Sequence, residues 1–435
     1  MLYIQAHKEH HHWLNYLMDE FRRIEGAEFQ IGIGEKETES RLNLRYNSSE
    51  KSDVHLSIQD NPYPKFEWIE NGLFILEGTQ KRGKKNIDYD LFWNSFYFLS
   101  RRNEWLLEQS GKKVQSYSNK TGIKDEKIWQ LPIVNMYFGI LKSYIAKNFP
   151  ELKFSENQRP TIELSHDLDY IKKTSSLRLK QSAFQVYNGI RRFHLKKIFS
   201  GLRFFFTSPI YWNFDFWKEL EEKFGLKSVF YVYAKTNKRG LKEWLLDPAY
   251  DISTNEKLKT ALKDLSQEGW RIGLHGSFNS ADSFDLIQKE KAKLESAIHS
   301  PITKTRQHWL RYAEAKTPFF HEELFQEDST LGWNDRIGFR AGIGSKFRPY
   351  NHKENRAFKH YVIPQVIMDS NIFDYGYGNE DVIIQQSKAM IIELAKQSNA
   401  HFSISWHPRT CHKEYAWQFA YEELLETWKT SISKY

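Results

Sequence analysis

Over its second half the chain alternates between two hydrophobic periods, and this alternation limits the folds open to it. Residues 216–224, 255–268 and 285–298 carry apolar side chains at helical spacing. Residues 228–232, 271–275 and 303–310 read as strands, and 401–408 is one more, followed by a closing helix over 414–428. Strands separated by helices pair in parallel within one layered α/β unit. In such sheets, polar residues just past the carboxyl ends of the strands sit where ligands bind.

The same pattern begins earlier, at 161–170. Ile162 and Leu164 alternate with polar neighbours, and the strand runs into His166, Asp167 and Asp169. Taken alone, Asp-x-Asp also fits a helix N-cap and a solvated turn. Other strand ends change the weighing. One finishes in His275 and continues Gly276-Ser277-Phe278-Asn279, another carries Arg306-Gln307-His308, and the last finishes in His407. A catalytic zinc site takes about three protein ligands from the His and carboxylate set and keeps a position open. Such an ion makes water more acidic and polarises a carbonyl, while a second carboxylate takes a proton and a His gives one. Several such residues at the strand ends of one sheet are harder to read as structural than any one of them singly.

Residues 1–155 read as a separate, smaller α/β domain. Leu14, Leu17, Phe21 and Ile24 share a helix face, 29–33, 42–46, 55–58 and 73–76 are strand-like, 81–85 is a charged turn, and 90–110 and 132–148 are amphipathic helices. No catalytic constellation is visible in this half. His7, His10, His11 and His12 invite a metal reading, but no third ligand stands near His7 and His11, so a solvated helix start is preferred. Asn157-Gln158-Arg159-Pro160 marks the boundary, and 156–435 is the second domain.

Between Asp169 and Asp215 there is no acidic residue. Lys172, Lys173, Arg178, Lys180, Arg191, Arg192, Lys196, Lys197 and Arg203 are interleaved there with aromatic rings. Residues 172–203 therefore suit an anionic membrane surface as a partner, or a helical insertion over an active-site mouth. The whole chain carries +8 with a pI near 9.0. No block of like charge is long enough for a nucleic-acid tail, so nucleic acid is not an expected partner. The single cysteine, Cys411, excludes an intramolecular disulfide. No apolar leader opens the sequence and no run of about 18 apolar residues occurs, so the expected location is cytoplasmic, with membrane association through 172–203. Aromatic residues are 16% of the chain, and flat rings pack on sugar faces as well as in cores.

The ordered set Ser165-His166-Asp167-Leu168-Asp169, His275-Gly276-Ser277-Phe278-Asn279, Arg306-Gln307-His308 and His407 resembles the polysaccharide deacetylase superfamily (NodB homology, carbohydrate esterase family 4). It looks closest to a bacterial branch with Ser-His-Asp-x-Asp in place of Thr-Phe-Asp-Asp-Gly. The resemblance covers 160–430, and 91–104 and 131–148 add a weaker likeness to the N-terminal domain of that branch. It implies a distorted (β/α) barrel of the deacetylase type, preceded by a smaller α/β domain. The implied activity is metal-dependent hydrolysis of N-acetyl groups on an amino sugar, in a surface or capsular polysaccharide or its precursor. In the family's pattern Asp167 matches the catalytic base, Asp169 the metal-binding carboxylate and His275 the first metal His. Arg306 matches the arginine that orients the base, and His407 the general acid. The implied cofactor is a divalent metal ion, zinc first, and the implied partner is an N-acetylated glycan. His166, Asn279, Trp333 and Arg340 are the expected substrate-binding residues, the last two from the runs 328–333 and 338–342.

The chain departs from the pattern at two positions. Asn279 stands where the family has its second metal His, and His308 stands where it has Pro. Asn is the poorer zinc ligand, so His308 is expected to supply the missing nitrogen. Two other functions stay open. One is a glycan-binding protein with a lost metal site, which Asn279 favours, and the other is an amidohydrolase for a small non-sugar amide.

Overall fold

The computed structural model describes residues 1–36, 42–47, 52–69, 73–80, 87, 89–156, 158–191, 193, 195–234, 240–375 and 378–434. The expected charged turn at 81–85, Asn157, Arg192 and the side chains of Arg191, Lys196 and Lys197 lie outside the described residues.

At the N-terminus four short parallel strands are ordered Ile31–Gly34, Leu2–Gln5, Asn43–Asn47 and Val54–His55. The helix His11–Glu25 packs Leu14, Leu17 and Phe21 inward and stops at Gly26, whose φ of +67° makes the left-handed cap. The histidine run builds the entrance of this helix. His11 Nε2 meets the Ala6 carbonyl at 3.0 Å, and His10 is buried against Trp13 and Tyr46. The stretch expected as one helix over 90–110 is two, Leu91–Leu99 and Arg102–Gln109. They break at Arg101, with φ +52°, whose buried guanidinium donates to both Glu314 oxygens at 2.6 and 2.7 Å.

The second sheet has eight parallel strands: β1 Thr161–Leu168, β2 Val229–Tyr233, β3 Arg271–Gly276, β4 Lys304–Gln307, β5 Glu327–Asp328, β6 Tyr361–Val362, β7 Gln365–Met368 and β8 His401–Ser405. Their order is β6-β5-β4-β3-β2-β1-β8-β7. The two edge strands are therefore neighbours in sequence, divided only by Ile363 and Pro364. One extended segment pairs with β5 through its first half and with β8 through its second. The sheet must curl for this to happen, and the result is the distorted (β/α) barrel that the sequence predicts. At the joint, Ile363 N–H donates to the Asp328 carbonyl and Ser403 N–H to the Pro364 carbonyl, at 2.9 and 2.8 Å. Pro364 has no N–H to give to either flank, which suits the place where pairing changes sides.

After β1 the chain makes a helical hairpin, α1 Ser175–Arg191 and α2 Leu195–Phe206. No helix among the described residues is long and apolar enough to cross a membrane.

Residues 1–155 do not stand apart from the barrel. Their hydrophobic core continues through Tyr312, Leu331, Trp333, Ile343 and Phe347. Ion pairs cross the same seam: Arg101 to Glu314 and Arg340 to Glu104 at 2.7 Å are buried, and Arg348 to Glu20 at 2.7 Å is half-buried. This corrects the substrate-binding role expected of Trp333 and Arg340. Arg340 forks onto Glu104 and lies over the Trp333 ring, which meets Trp129 edge-on at 5.0 Å. Both side chains are buried, because a guanidinium in such a seam needs its carboxylate. The backbone at Gly338, with φ +130°, comes so close to Trp129 that a Cβ would lie 2.0 Å from its carbonyl oxygen. Gly338→Ala is thus expected to lower the free energy of unfolding by about 1–3 kcal/mol or more. Urea unfolding checks this, and a wild-type midpoint would mean that the seam yields.

Candidate active site

Strand parity decides which side chains enter the barrel. On β1, Ser165 and Asp167 point inward, and His166 and Leu168 point outward. His166 is fully buried on the outer side, with Nε2 2.7 Å from Glu221 Oε1 and Nδ1 2.5 Å from the Trp406 carbonyl. Both ring nitrogens are occupied away from the cleft, so the substrate role expected of His166 is corrected. Asn279 is half-buried; its amide donates to Glu243 Oε1 at 2.9 Å and its oxygen accepts from Lys242 Nζ at 3.2 Å. The turn after β3 carries it toward those two side chains.

Asp169, His275 and His308 converge. Asp169 Oδ1 lies 3.3 Å from His275 Nε2 and 3.5 Å from His308 Nε2. Asp169 Oδ1 and His275 Nε2 are buried yet make no hydrogen bond, so these atoms face a common point without bonding each other. Ligands about 2.0–2.1 Å from a tetrahedral zinc stand about 3.3 Å apart, so the spacing fits that ion. The remote ring nitrogens are held: His275 Nδ1 by the Arg306 carbonyl at 3.1 Å, His308 Nδ1 by Asp247 at 3.2 Å. Metal-ligating histidines commonly carry such partners, which fix the ring and its tautomer.

His308 reaches this point through an unusual turn. The strand expected over 303–310 ends at Gln307, and Trp309 and Leu310 follow with φ of +59° and +48°. Two consecutive non-glycine residues in the left-handed region are strained, and such strain gathers at functional sites.

Arg306 lies inside the barrel, fully buried. Nη1 donates to Asp167 Oδ1 and Ser405 Oγ, both at 2.8 Å, and Nη2 to Ser165 Oγ, Ser329 Oγ and Gln365 Oε1 at 2.8–2.9 Å. Burial would raise the Asp167 carboxyl, but the Arg306 guanidinium together with the His275 and His407 imidazoles outweighs it and holds the group below its usual range. Burial would likewise raise Asp169, and the imidazoles led by His308 hold it well below. His407 Nε2 is 3.4 Å from Asp169 Oδ2, and its Nδ1 is 2.7 Å from Asp369 Oδ1. Burial would push the His407 imidazolium down, but Asp369 and Asp169 together outweigh it and the pKa rises to about 10.

Three contributors, Asp247, Asp369 and Arg409, were not singled out from the sequence. Asp247 and Asp369 hold the rings of His308 and His407. Arg409 Nη1 donates to Asp169 Oδ2 at 3.1 Å. The hairpin walls the cleft with Leu177, Gln181 and Phe184, opposite Trp309 and Tyr375, and Gln181 Nε2 donates to Asp374 at 3.1 Å. Asp369 directly follows β7, so a strand-end carboxylate was the available signal. Asp247 offered none.

A family model described as a family of unknown function (DUF7033) matches residues 2–150. No curated protein matches the chain. Among solved structures, one described as a polysaccharide deacetylase from Mycobacterium smegmatis is 12% identical over 63% of this chain and 85% of its own, with a TM-score of 0.39. PuuE allantoinase is 11% identical over 64% and 86%, with a TM-score of 0.38. A structure from Bordetella bronchiseptica, described as a polysaccharide deacetylase involved in O-antigen biosynthesis, is 13% identical over 62% and 92%, with a TM-score of 0.29. The fold stated above rests on the strand order, and the chemistry on the site residues.

Arg306→Met would leave Asp167 buried without its cation and the serine hydroxyls without their donor. It is expected to cost about 3–5 kcal/mol of stability, as breaking a buried pair does. Denaturant unfolding measures it, and a loss below about 1 kcal/mol, the scale of an exposed pair, would assign the guanidinium a minor role.

Proposed function

We propose that this protein is a metal-dependent hydrolase that removes N-acetyl groups from an amino sugar of a surface or capsular polysaccharide or its lipid-linked precursor. The observation that carries the reading is the convergence of Asp169, His275 and His308 beside an Arg-held carboxylate and an Asp-held imidazole. Asp169, His275 and His308 would hold a divalent ion, zinc first, which supplies Lewis-acid polarisation of the acetyl carbonyl and a more acidic water.

The chain's own residues do the remaining work. Asp167, kept ionised by Arg306, takes the proton from the attacking water. His407 carries a proton at neutral pH because Asp369 faces its other nitrogen, and it gives that proton to the departing sugar amine. Arg409 balances charge on the outer oxygen of Asp169. Tyr170, Phe184, Trp309 and Tyr375 offer ring faces to the sugar.

Metal titration separates the two departures from the family pattern. His308→Ala is expected to weaken zinc binding severely, and Asn279→Ala to leave it near wild type, since Asn279 faces Glu243. Asp167→Asn should keep its metal and lose about 10²–10⁴ in acetate release from N-acetylglucosamine oligomers, followed by proton NMR. Equal release by wild type and Asp167→Asn would overturn the assignment of the base. A wild-type chain that binds no zinc would overturn the metal-dependent reading altogether.

The hairpin supports a place of action. Its inner side walls the cleft, while Tyr187, Phe193, Leu195, Phe199 and Phe206 are exposed, Phe193 at 95% and Phe206 at 81%. Lys172 and Arg203 are exposed beside them, but Lys173 is buried on Glu414 at 2.7 Å and is not free for lipid. We infer that this outer face rests on an anionic membrane, since exposed apolar rings and exposed basic residues occur together over residues 172–206. Each basic residue near such a surface contributes about 1 kcal/mol, and the attraction fades with salt. Co-sedimentation with phosphatidylserine vesicles should be strong at low salt and fall for Phe199→Ser/Phe206→Ser. Recovery equal to that of the wild type in this variant would remove the membrane reading.

A further inference from the structure

The unbonded buried ligand atoms that mark the active site occur once more among the described residues, on the opposite side of the barrel wall. His321, Asp328 and His360 each offer a ligand atom, and these atoms lie within 4.8 Å of one another. All three side chains are buried, His321 and Asp328 completely. His321 stands on the helix Thr317–Leu324, Asp328 ends β5, and His360 immediately precedes β6. Asp328 Oδ1 is satisfied by Thr330, through its N–H at 2.7 Å and its hydroxyl. Asp328 Oδ2 remains, 2.9 Å from His321 Nδ1, but the two are not aligned as a hydrogen bond. Both nitrogens of His360 are buried without a partner.

We propose that His321, Asp328 and His360 hold a second divalent transition-metal ion of the zinc class, in a structural site separate from the cleft. Two imidazoles and one carboxylate are a donor set for such an ion. A His–Asp hydrogen bond would engage two of the three groups and leave His360 bare, whereas one cation takes a ligand atom from all three. The Gln307 amide lies 3.1 Å from His321 Nε2, the ring nitrogen remote from the cluster. With that amide turned so that its oxygen accepts from Nε2–H, Nδ1 is a free lone pair. Ser280 Oγ, 3.1 Å from the other end of the amide, accepts in that orientation.

The position explains a need for such an ion. β5 and β6 are two residues each, with two register pairs between them, and a shared ion would clamp them to the helix beside them. Phe325 packs edge-on against His321 at 5.8 Å and Phe358 against His360 at 5.7 Å, and the burial of all three ligands assigns the site a structural rather than a catalytic part.

Metal content distinguishes this site from the catalytic one. The full chain, stripped with chelator, equilibrated with zinc and freed of excess, should carry two zinc ions per chain by plasma mass spectrometry. His275→Ala/His308→Ala should carry one, and adding His360→Gln should bring it to none. EDTA should lower the Tm of His275→Ala/His308→Ala, and added zinc should restore it. This second measurement stands if the His360→Gln chain fails to fold. The proposal is overturned if His275→Ala/His308→Ala retains no zinc, or if its Tm ignores both EDTA and zinc. That outcome leaves the catalytic reading intact, because the count is made with the catalytic ligands removed.

Discussion

A guanidinium buried at the centre of a parallel barrel is the interaction on which the other arrangements depend. Arg306 has five N–H donors and no acceptor, so every buried N–H calls for an oxygen. The barrel answers with small polar residues where such folds ordinarily pack branched apolar ones. Ser165, Ser329, Ser403 and Ser405 leave room for the planar group and supply oxygens, and Tyr231 lies under it at 4.4 Å. Asp167 supplies the negative charge. The same contact therefore keeps the barrel interior neutral and keeps the carboxylate ionised for proton transfer, so stability and chemistry share one ion pair.

The parts of the fold legible in the sequence are those whose signal is local. β1, β2, β3 and β8 are apolar runs that stop at polar residues, and period alone places them. β5, β6 and β7 are two to four residues long, too short for a periodic signal, and the segment that closes the barrel was not foreseen. The break at Arg101 was equally invisible, because its cause, Glu314, lies 213 residues away. The same holds for Arg340, whose partner Glu104 is 236 residues distant.

In the site the pattern of strand ends brought Asp167, Asp169, His275, Arg306, His308 and His407 onto one list, and the structure gathers them at one end of one sheet. His166 was placed with them by likeness of position, although strand parity turns it outward; counting alternate residues from Asp167 would have excluded it. Asp247 and Asp369, which hold the rings in place, stand just past the ends of a short helix and a short strand. Positioning groups of this kind are chosen by three-dimensional proximity, and a linear pattern does not record it. The hairpin was legible in composition, but its two-sidedness, with cleft on one side and exposed rings on the other, required the packing.

The shared segment 361–368 has a consequence for the barrel as a mechanical object. Because one length of chain is bonded to β5 on one flank and to β8 on the other, neither neighbour can slide by a residue alone. A slip at either flank would drag the joint at Pro364 and rotate Gln365 away from Arg306. Since side chains alternate faces at every residue, such a slip would also turn Ser403 and Ser405 out of the interior. The ring behaves like a belt fastened by a single buckle, and its circumference is set at the one place where the chain changes hands.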